Sequence, residues 1–468
     1  MTGFQHTNES QAAFAELSGD FNPVHLDPTL ARRTLFGQIV VHGLHNVLRA
    51  LEQYLQVRPL LIDRLAVTFK NPVFLNEDVS VVPSAETDTS ALLTLRCGAA
   101  DVANMRLMGH AGEPSAQPCS LAKPAFPGQP EDNTFLQLET ASGTLDLMGD
   151  EAAIRAGFPA CSRALGVDGV ARLLGLTRLV GMRCPGLHSL FSGFDVRFAD
   201  DRSPEPTRFN VARADGRMSM LAIAVDGGGM TGTVSAFVRP APVDQPDMVT
   251  VADQISGNPY QGVHALVVGG SRGLGEVSAK IIAAGGGDVA ITYLSGRQDA
   301  ERVRDEINQW GGRARALQMD ASNPDAAIAG LHADDWTPTH LLYFATPRIS
   351  GRAAESTDGA QKAQFDDIYS TGLKKVVGAL RSGSAQPLAV FYPSSVYVVE
   401  CPADLADYAR AKTDGEAMAR DLAKNDPGIS LAIERLPALA TDQTASLLDL
   451  ATPRPLEVMA QVLGKTLC

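Results

Sequence analysis

The chain has 468 residues, 45% hydrophobic and 20% charged, and its 40 Lys+Arg against 53 Asp+Glu give a formal net charge of −13. Such a composition excludes a wholly disordered, collagen-like or disulfide-scaffold protein, and an acidic balance without a basic patch argues against a nucleic-acid partner. The length suits about three domains, or two large ones. The six cysteines (Cys97, Cys119, Cys161, Cys184, Cys401 and Cys468) are scattered, with no C-x-x-C and no clustered histidines. Reduced thiols are therefore expected, with no metal site and no disulfide framework. The opening residues, Met1-Thr-Gly-Phe-Gln-His, lack the basic and apolar regions of a signal peptide, and no apolar run approaches the roughly 20 residues of a spanning helix. A cytoplasmic protein with no membrane partner is expected.

In chain order, Ser10 is placed to cap a helix over Gln11–Leu17, and Gly19–Pro28 is rich in turn formers. A second helix follows Gly43, with Leu44, Val47, Leu48, Leu51, Tyr54 and Leu55 on one stripe. Strand-like runs come next at Leu65–Phe69, Asp78–Val82 and Leu92–Arg96. A Pro-rich seam from Glu113 to Pro130 then closes the first block. The second block repeats helix then strands, with a helix over Val167–Leu176 and strands at Phe194–Phe198, Met218–Val225 and Thr231–Val238. The likeness of Pro185-Gly186…Val196…Phe198 to His42-Gly43…Val67…Phe69 suggests two related halves.

A second seam, Arg239–Pro246, leads through a polar stretch to a block that alternates strand and helix. Strands are predicted at Ala265–Val268, Val289–Tyr293, Ala314–Met319, Leu341–Phe344, Leu388–Tyr392 and Ser430–Glu434. Helices are predicted at Glu276–Ala284, Asp299–Trp310 and Ala406–Lys424, and the alternation implies a doubly wound parallel sheet. Between the first strand and helix lies Val268-Gly-Gly-Ser-Arg-Gly-Leu-Gly275. In such a turn Gly269 permits the bend, Gly273 lets the backbone approach a pyrophosphate, and Gly275 lets helix pack on strand, while Leu274 lies between them. The helix N-terminus then offers free N–H groups to phosphate oxygens. The second strand runs into Leu294-Ser-Gly-Arg297 with no carboxylate before Asp299, so Ser271, Arg272, Ser295 and Arg297 are placed to surround a 2′-phosphate. NADPH is the expected cofactor.

Tyr408-Ala-Arg-Ala-Lys412 puts a tyrosine and a lysine one helical turn apart, and Ser395 precedes Tyr408 by thirteen residues. Together with the glycine turn, this set resembles the short-chain dehydrogenase/reductases, particularly the beta-ketoacyl-carrier-protein reductases, over about residues 262–468. The resemblance implies Tyr408 as proton donor to a carbonyl oxygen, Ser395 as a second donor, and Lys412 as the charge that lowers the tyrosine pKa. It also implies contact of Asp320 with adenine, and of Pro437 and Thr441 with the nicotinamide site. Two features depart from that pattern. The usual Asn-rich turn after the fourth strand reads Phe344-Ala-Thr-Pro347, and Tyr369 or Gly372 stands where a catalytic-helix asparagine is usual.

In the first block, Phe14-Ala-Glu-Leu-Ser-Gly-Asp20-Phe-Asn-Pro-Val-His25-Leu-Asp-Pro28, followed by Thr34 through His42-Gly43, resembles the MaoC-like family. These are (R)-specific enoyl-thioester hydratases/dehydratases of hotdog fold. Dehydrating a 3-hydroxyacyl thioester removes a proton from C2 and delivers one to the leaving hydroxyl, work that Asp20 and His25 can share. Asn22 is expected to orient the loop or the water, and the Gly43 N–H to face the thioester oxygen. Asp27 is expected to cap a helix, and His42, His45 and His188 to orient or pack. The second block has no Asp-x4-His, so it should shape the acyl pocket without adding an active site.

The expected architecture is an α+β double hotdog followed by an α/β Rossmann-type doubly wound parallel sheet. Its expected parts are hotdog 1 at 1–125, a degenerate hotdog 2 at 126–242, and the reductase domain at 258–468. The expected function is reduction of a 3-ketoacyl thioester, on CoA or acyl carrier protein, and its dehydration to the trans-2-enoyl product, in an oligomer of identical chains. Two alternatives stand beside it. One is the reverse flux, an (R)-specific hydratase with a 3-hydroxyacyl-CoA dehydrogenase; the other is a dehydratase carrying an inactive cofactor-binding fold.

Overall fold

A computed structural model describes residues 3–112, 121–126, 128–349, 360–382, 384, 386–445 and 452–467. Residues 113–120 and 127 of the first Pro-rich seam lie outside the described residues. The chain divides into two compact units, the first Met1–Ala241 and the second beginning at Pro242.

In the first unit the strands are β1 (Leu61–Phe69), β2 (Val79–Ser84), β3 (Ser90–Cys97), β4 (Ala100–His110), β5 (Ser142–Leu145), β6 (Ser189–Phe198), β7 (Thr207–Asp215), β8 (Met220–Gly227) and β9 (Met230–Val238). They form one nine-stranded sheet in the order β2-β3-β4-β1-β6-β9-β8-β7-β5, and its pairings are antiparallel. The central helices Gly43–Val57 and Pro159–Arg178 lie against each other and the sheet, with Leu44, Leu48 and Leu51 meeting Leu173 and Leu176 in one core. Each half is thus a long helix followed by four strands wound in the same order, and β1 joins β6 with Leu65 opposite Val196. This is a double hotdog.

Some local expectations need correction. Thr7, not Ser10, caps the first helix, Asn8–Ser18; Ser10 is the third helical residue and closes the reciprocal half of the capping box. The likeness of Pro185-Gly186 to His42-Gly43 does not mark equivalent places. Gly43 starts its central helix, whereas Gly186 follows the end of Pro159–Arg178. Strands β4 and β7 were not apparent in the sequence, because Asn104, Gly109, Asn210 and Ala212 dilute the alternation, and β5 is only the four residues Ser142–Leu145. Asp27 does cap the short helix Pro28–Arg32, accepting from the N–H groups of Thr29 and Leu30.

In the second unit, β10 (His264–Val268), β11 (Asp288–Tyr293), β12 (Arg313–Gln318), β13 (His340–Tyr343), β14 (Leu388–Ser395) and β15 (Ile429–Leu436) form a six-stranded parallel sheet. Its order, β12-β11-β10-β13-β14-β15, is that of a dinucleotide-binding sheet, with the crevice between β10 and β13 where the winding reverses. The stretch after the second seam belongs to this unit rather than to a free linker. Lys280 donates to the Pro246 carbonyl at 2.8 Å, and Met248 and Val251 are buried in the core around Ile281 and Met459. The helices Asp325–Ala333 and Pro455–Thr466 add to those expected. No helix among the described residues is long and apolar enough to cross a membrane.

Candidate active sites

In the first unit, Asp20 precedes and His25 lies within the short helix Pro23–Leu26, which Pro23 starts and Asn22 caps through its side-chain oxygen. Asp20 is buried, and Thr177 from the second half donates to its Oδ2 at 2.6 Å. Asp20, His25 and His42 each bring a side-chain atom within 4.8 Å of the others, and the rings of His25 and His42 stack at 3.8 Å. A carbonyl only accepts, so the 2.6 Å contact of His25 Nδ1 with the Val40 carbonyl fixes the proton on Nδ1 and leaves Nε2 as an acceptor. By the same argument His42 donates from Nε2 to the Asp20 carbonyl at 3.0 Å and orients the loop. Burial pushes the Asp20 carboxyl up and the His25 imidazole down, each opposed by the charge of the other.

A cavity of about 310 Å³ opens onto these two residues. Its walls are apolar, with Phe36, Val73 and Val102 from the first half and Val180, Phe191 and Phe237 from the second. Gly43 reaches the cavity at the first position of its helix, where a Cβ would lie 2.9 Å from the Phe69 ring. Asn22 does not line the cavity. Its amide donates to the carbonyls of Gly181, Gly186 and Leu187 at 2.9–3.2 Å, so it orients the loop and ties it to the second half. His45 is held by Gln11 and His188 lies 3.4 Å from Asp132, both away from the acid/base pair. Sequence reasoning missed Thr177 and Gly181. A Cβ on Gly181 would fall 2.1 Å from Asp20 Oδ1, so only glycine lets the second half close on that carboxyl.

In the second unit the glycine turn has the expected shape. Gly269 and Gly273 have φ of 79° and 56°, and a Cβ on Gly275 would meet the Gly269 carbonyl oxygen at 2.3 Å. The helix Gly273–Ala284 starts here without a side-chain cap, so the first-turn N–H groups, Leu274 among them, suit phosphate oxygens. Thr441 lies beside Gly273, whose Cβ would be 3.5 Å from Thr441 Cγ2. Pro437 follows the end of β15, and Asp320 is exposed just past β12, accepting from the Ser322 N–H. The 2′-phosphate set is less open than expected. Arg272 lies 3.8 Å from Asp299 and 3.4 Å from Asp442, whereas Arg297 and Ser295 are exposed and Ser271 is half-buried.

Ser395 ends β14, and Tyr408 and Lys412 lie on the buried face of the helix Ala406–Asn425. Ser395 and Tyr408 share a side-chain hydrogen bond, and burial pushes the Tyr408 hydroxyl up to about 12. The expectation that Lys412 lowers the Tyr408 pKa is not met. Lys412 Nζ donates to the Pro393 carbonyl at 2.8 Å and faces the rings of Tyr369 and Tyr392 at 4.1 and 5.1 Å. Burial brings the Lys412 amine down to about 7. Tyr369, not Gly372, is the residue that faces the lysine, and it stands in a π-helical turn, Asp367–Gly372. That turn was invisible in the sequence.

The two units thus define a hotdog fold with a carboxylate–imidazole pair, joined to a doubly wound dinucleotide-type fold with the Ser–Tyr–Lys set of the short-chain dehydrogenase/reductases. Comparison with known proteins gives the particular kinship. Residues 3–100 match the MaoC like domain, and the second unit has the strand order of a dinucleotide-binding sheet. It is similar to the "(R)-specific enoyl-CoA hydratase" of Aeromonas caviae, 40% identical over 84 residues that cover 17% of this chain and 60% of that one. It is also similar to the "Uncharacterized oxidoreductase YgfF" of Escherichia coli, 41% identical over 159 residues that cover 32% of this chain and 64% of that one. The chain therefore spans less than two thirds of the length of either relative. A solved short chain dehydrogenase from Burkholderia cenocepacia, in complex with NADP, is 25% identical over 44% of this chain and 91% of that one, with a TM-score of 0.41.

Proposed function

We propose that the chain reduces a 3-ketoacyl thioester to the (3R)-hydroxy compound and dehydrates that to the trans-2-enoyl thioester. The observation that carries the proposal is the apolar cavity ending on Asp20, His25 and the Gly43 helix start, a place for an acyl chain with its reacting carbons at the acid/base pair. During dehydration one member of the pair takes the C2 proton while the other protonates the C3 hydroxyl as it leaves as water. The Gly43 N–H, at a positive helix end, stabilises the enolate oxygen that develops between those events.

The glycine turn and Ser395, Tyr408 and Lys412 fit a nicotinamide cofactor: three glycines that a Cβ would block or strain, an uncapped helix start, and a tyrosine hydroxyl paired with a serine. When bound, NADPH would supply the hydride for C3. Gly269, Gly273, Leu274 and Gly275 would hold its phosphates, with Arg272 and Ser271 toward the ribose. Tyr408 donates its proton to the C3 oxygen, and Ser395 steadies that oxygen as charge develops.

A second reading, oxidation of the hydroxyacyl thioester after hydration, is favoured by one observation. Asp299 and Asp442 already neutralise Arg272, which weakens the bias toward a phosphorylated ribose. Incubating the chain with 3-ketoacyl-CoA and 3-ketoacyl-carrier-protein, each with NADPH or NADH, separates the readings. The proposal expects trans-2-enoyl product by mass spectrometry with NADPH preferred. Turnover confined to NAD+ and hydroxyacyl substrate would reverse the assigned direction.

A further inference from the structure

We propose that Tyr369 is a positioning residue of the reductase site, its ring face holding the Lys412 side chain in place as a cation; the assignment rests on the reductase reading of that site. Lys412 Nζ lies 4.1 Å from the Tyr369 ring centroid and 5.1 Å from that of Tyr392, inside the range of cation–π attraction. One of its three N–H groups goes to the Pro393 carbonyl at 2.8 Å, and the ammonium is left facing aromatic surface. The π-helical turn supplies the register for this, since its wider winding carries Tyr369, wholly buried, into the space under the lysine.

The ring is fixed on several sides. Its hydroxyl lies 2.5 Å from Thr346 Oγ1, and Thr346 donates to the Pro347 carbonyl at 3.0 Å. That pattern leaves Thr346 Oγ1 to accept from the Tyr369 hydroxyl. Phe365 stacks on the ring at 5.8 Å, and Tyr408 meets its edge at 5.9 Å. One ring therefore touches both the lysine and the proton-donating tyrosine.

Among the described residues, the charged and titratable groups around Lys412 are few. From its own helix come Tyr408 and Glu416, from β14 Tyr392, and from the π-helical turn Tyr369. The Glu416 carboxylate favours the cation, but it is already shared by Arg435, Arg420 and Ser394. The aromatic faces thus provide what a free carboxylate would otherwise provide. Burial has drawn the Lys412 amine down to about 7, so a modest loss of cation stabilisation changes the charged fraction at neutral pH.

The test is a ¹³C-lysine NMR titration of the full chain without added cofactor, with the Lys412 signal assigned by its loss in Lys412→Arg. In Tyr369→Leu, which removes the π face, the Lys412 pKa should fall by about one pH unit, whereas Tyr369→Phe should hold it near the parental value. Pentafluorophenylalanine at position 369 keeps ring size but inverts the face potential. It should lower the pKa as Leu does, and it serves if the Leu variant does not fold. The basic limb of the pH–rate profile for ketone reduction should move down by the same amount. An unchanged Lys412 pKa in both the Leu and fluorinated variants, or an equal fall in Tyr369→Phe, would overturn the proposal. Absence of reduction in the parental chain would instead sink the reductase reading, and the titration would still decide the contact.

Discussion

At the scale of single residues, the hotdog site sets the Asp20 carboxyl and the His25 imidazole together at the end of an apolar cavity. Burial opposes charge on both Asp20 and His25, while Thr177 favours the carboxylate by donating to it. Thr177→Val removes that donor, so the Asp20 pKa, already raised, should rise further. The acidic limb of the kcat/KM profile for dehydration should then move to higher pH. A limb that stays or moves down would show that Asp20 is not the group titrating there. In the other unit, Arg272→Ala should weaken NADPH more than NADH. A charge-assisted contact to phosphate is worth roughly 1.5–3 kcal/mol, or about 10–100-fold. Because Asp299 and Asp442 share the guanidinium, the lower end is expected, about tenfold in the ratio of the two dissociation constants. An unchanged ratio would move the 2′-phosphate contact to Arg297.

Elements explain what was legible in the sequence and what was not. The Asp20–His25 loop, the glycine turn and Tyr408-x-x-x-Lys412 were legible because each is local, with its chemistry and geometry held within a few residues. Thr177 and Gly181 were not, because each acts on a partner far along the chain through a tertiary contact, and Tyr369 was legible only as one of two candidate positions, its contact with Lys412 being tertiary. Gly181 and Tyr369 also both stand in π-helical turns, Leu179–Arg183 and Asp367–Gly372. A π turn has no composition signal, and it shifts the register of the side chains that follow. Strands β4 and β7 were hidden for a different reason, since packing on neighbouring strands overrides their weak alternation. Gly181→Ala would put a methyl group where the π turn brings the backbone against Asp20. The new methyl would displace the Asp20 carboxyl, and a misplacement of about 1 Å can cost roughly 100-fold. Dehydration should fall by about that factor while NADPH consumption with a 3-ketoacyl thioester is retained. Undiminished dehydration would remove the second half from the active site.

For the whole molecule, the two units have separate cores and each carries its own reactive cluster. The first hotdog half contributes Asp20 and His25, and the second contributes Thr177, Gly181 and much of the apolar wall. Both halves therefore line one cavity. The proposed reactions share one intermediate: the reductase delivers the (3R)-hydroxyacyl thioester that the hotdog site consumes. Asp20→Asn removes one member of the acid/base pair, a change that typically costs 10²–10⁴-fold in rate, and leaves the reductase cluster untouched. The most direct measurement is therefore chiral analysis of what Asp20→Asn makes from 3-ketoacyl thioester and NADPH. The account predicts accumulation of the 3-hydroxyacyl thioester, predominantly (R), at close to the parental rate of NADPH consumption. Accumulation of the (S) compound, or continued formation of the trans-2-enoyl product, would contradict it.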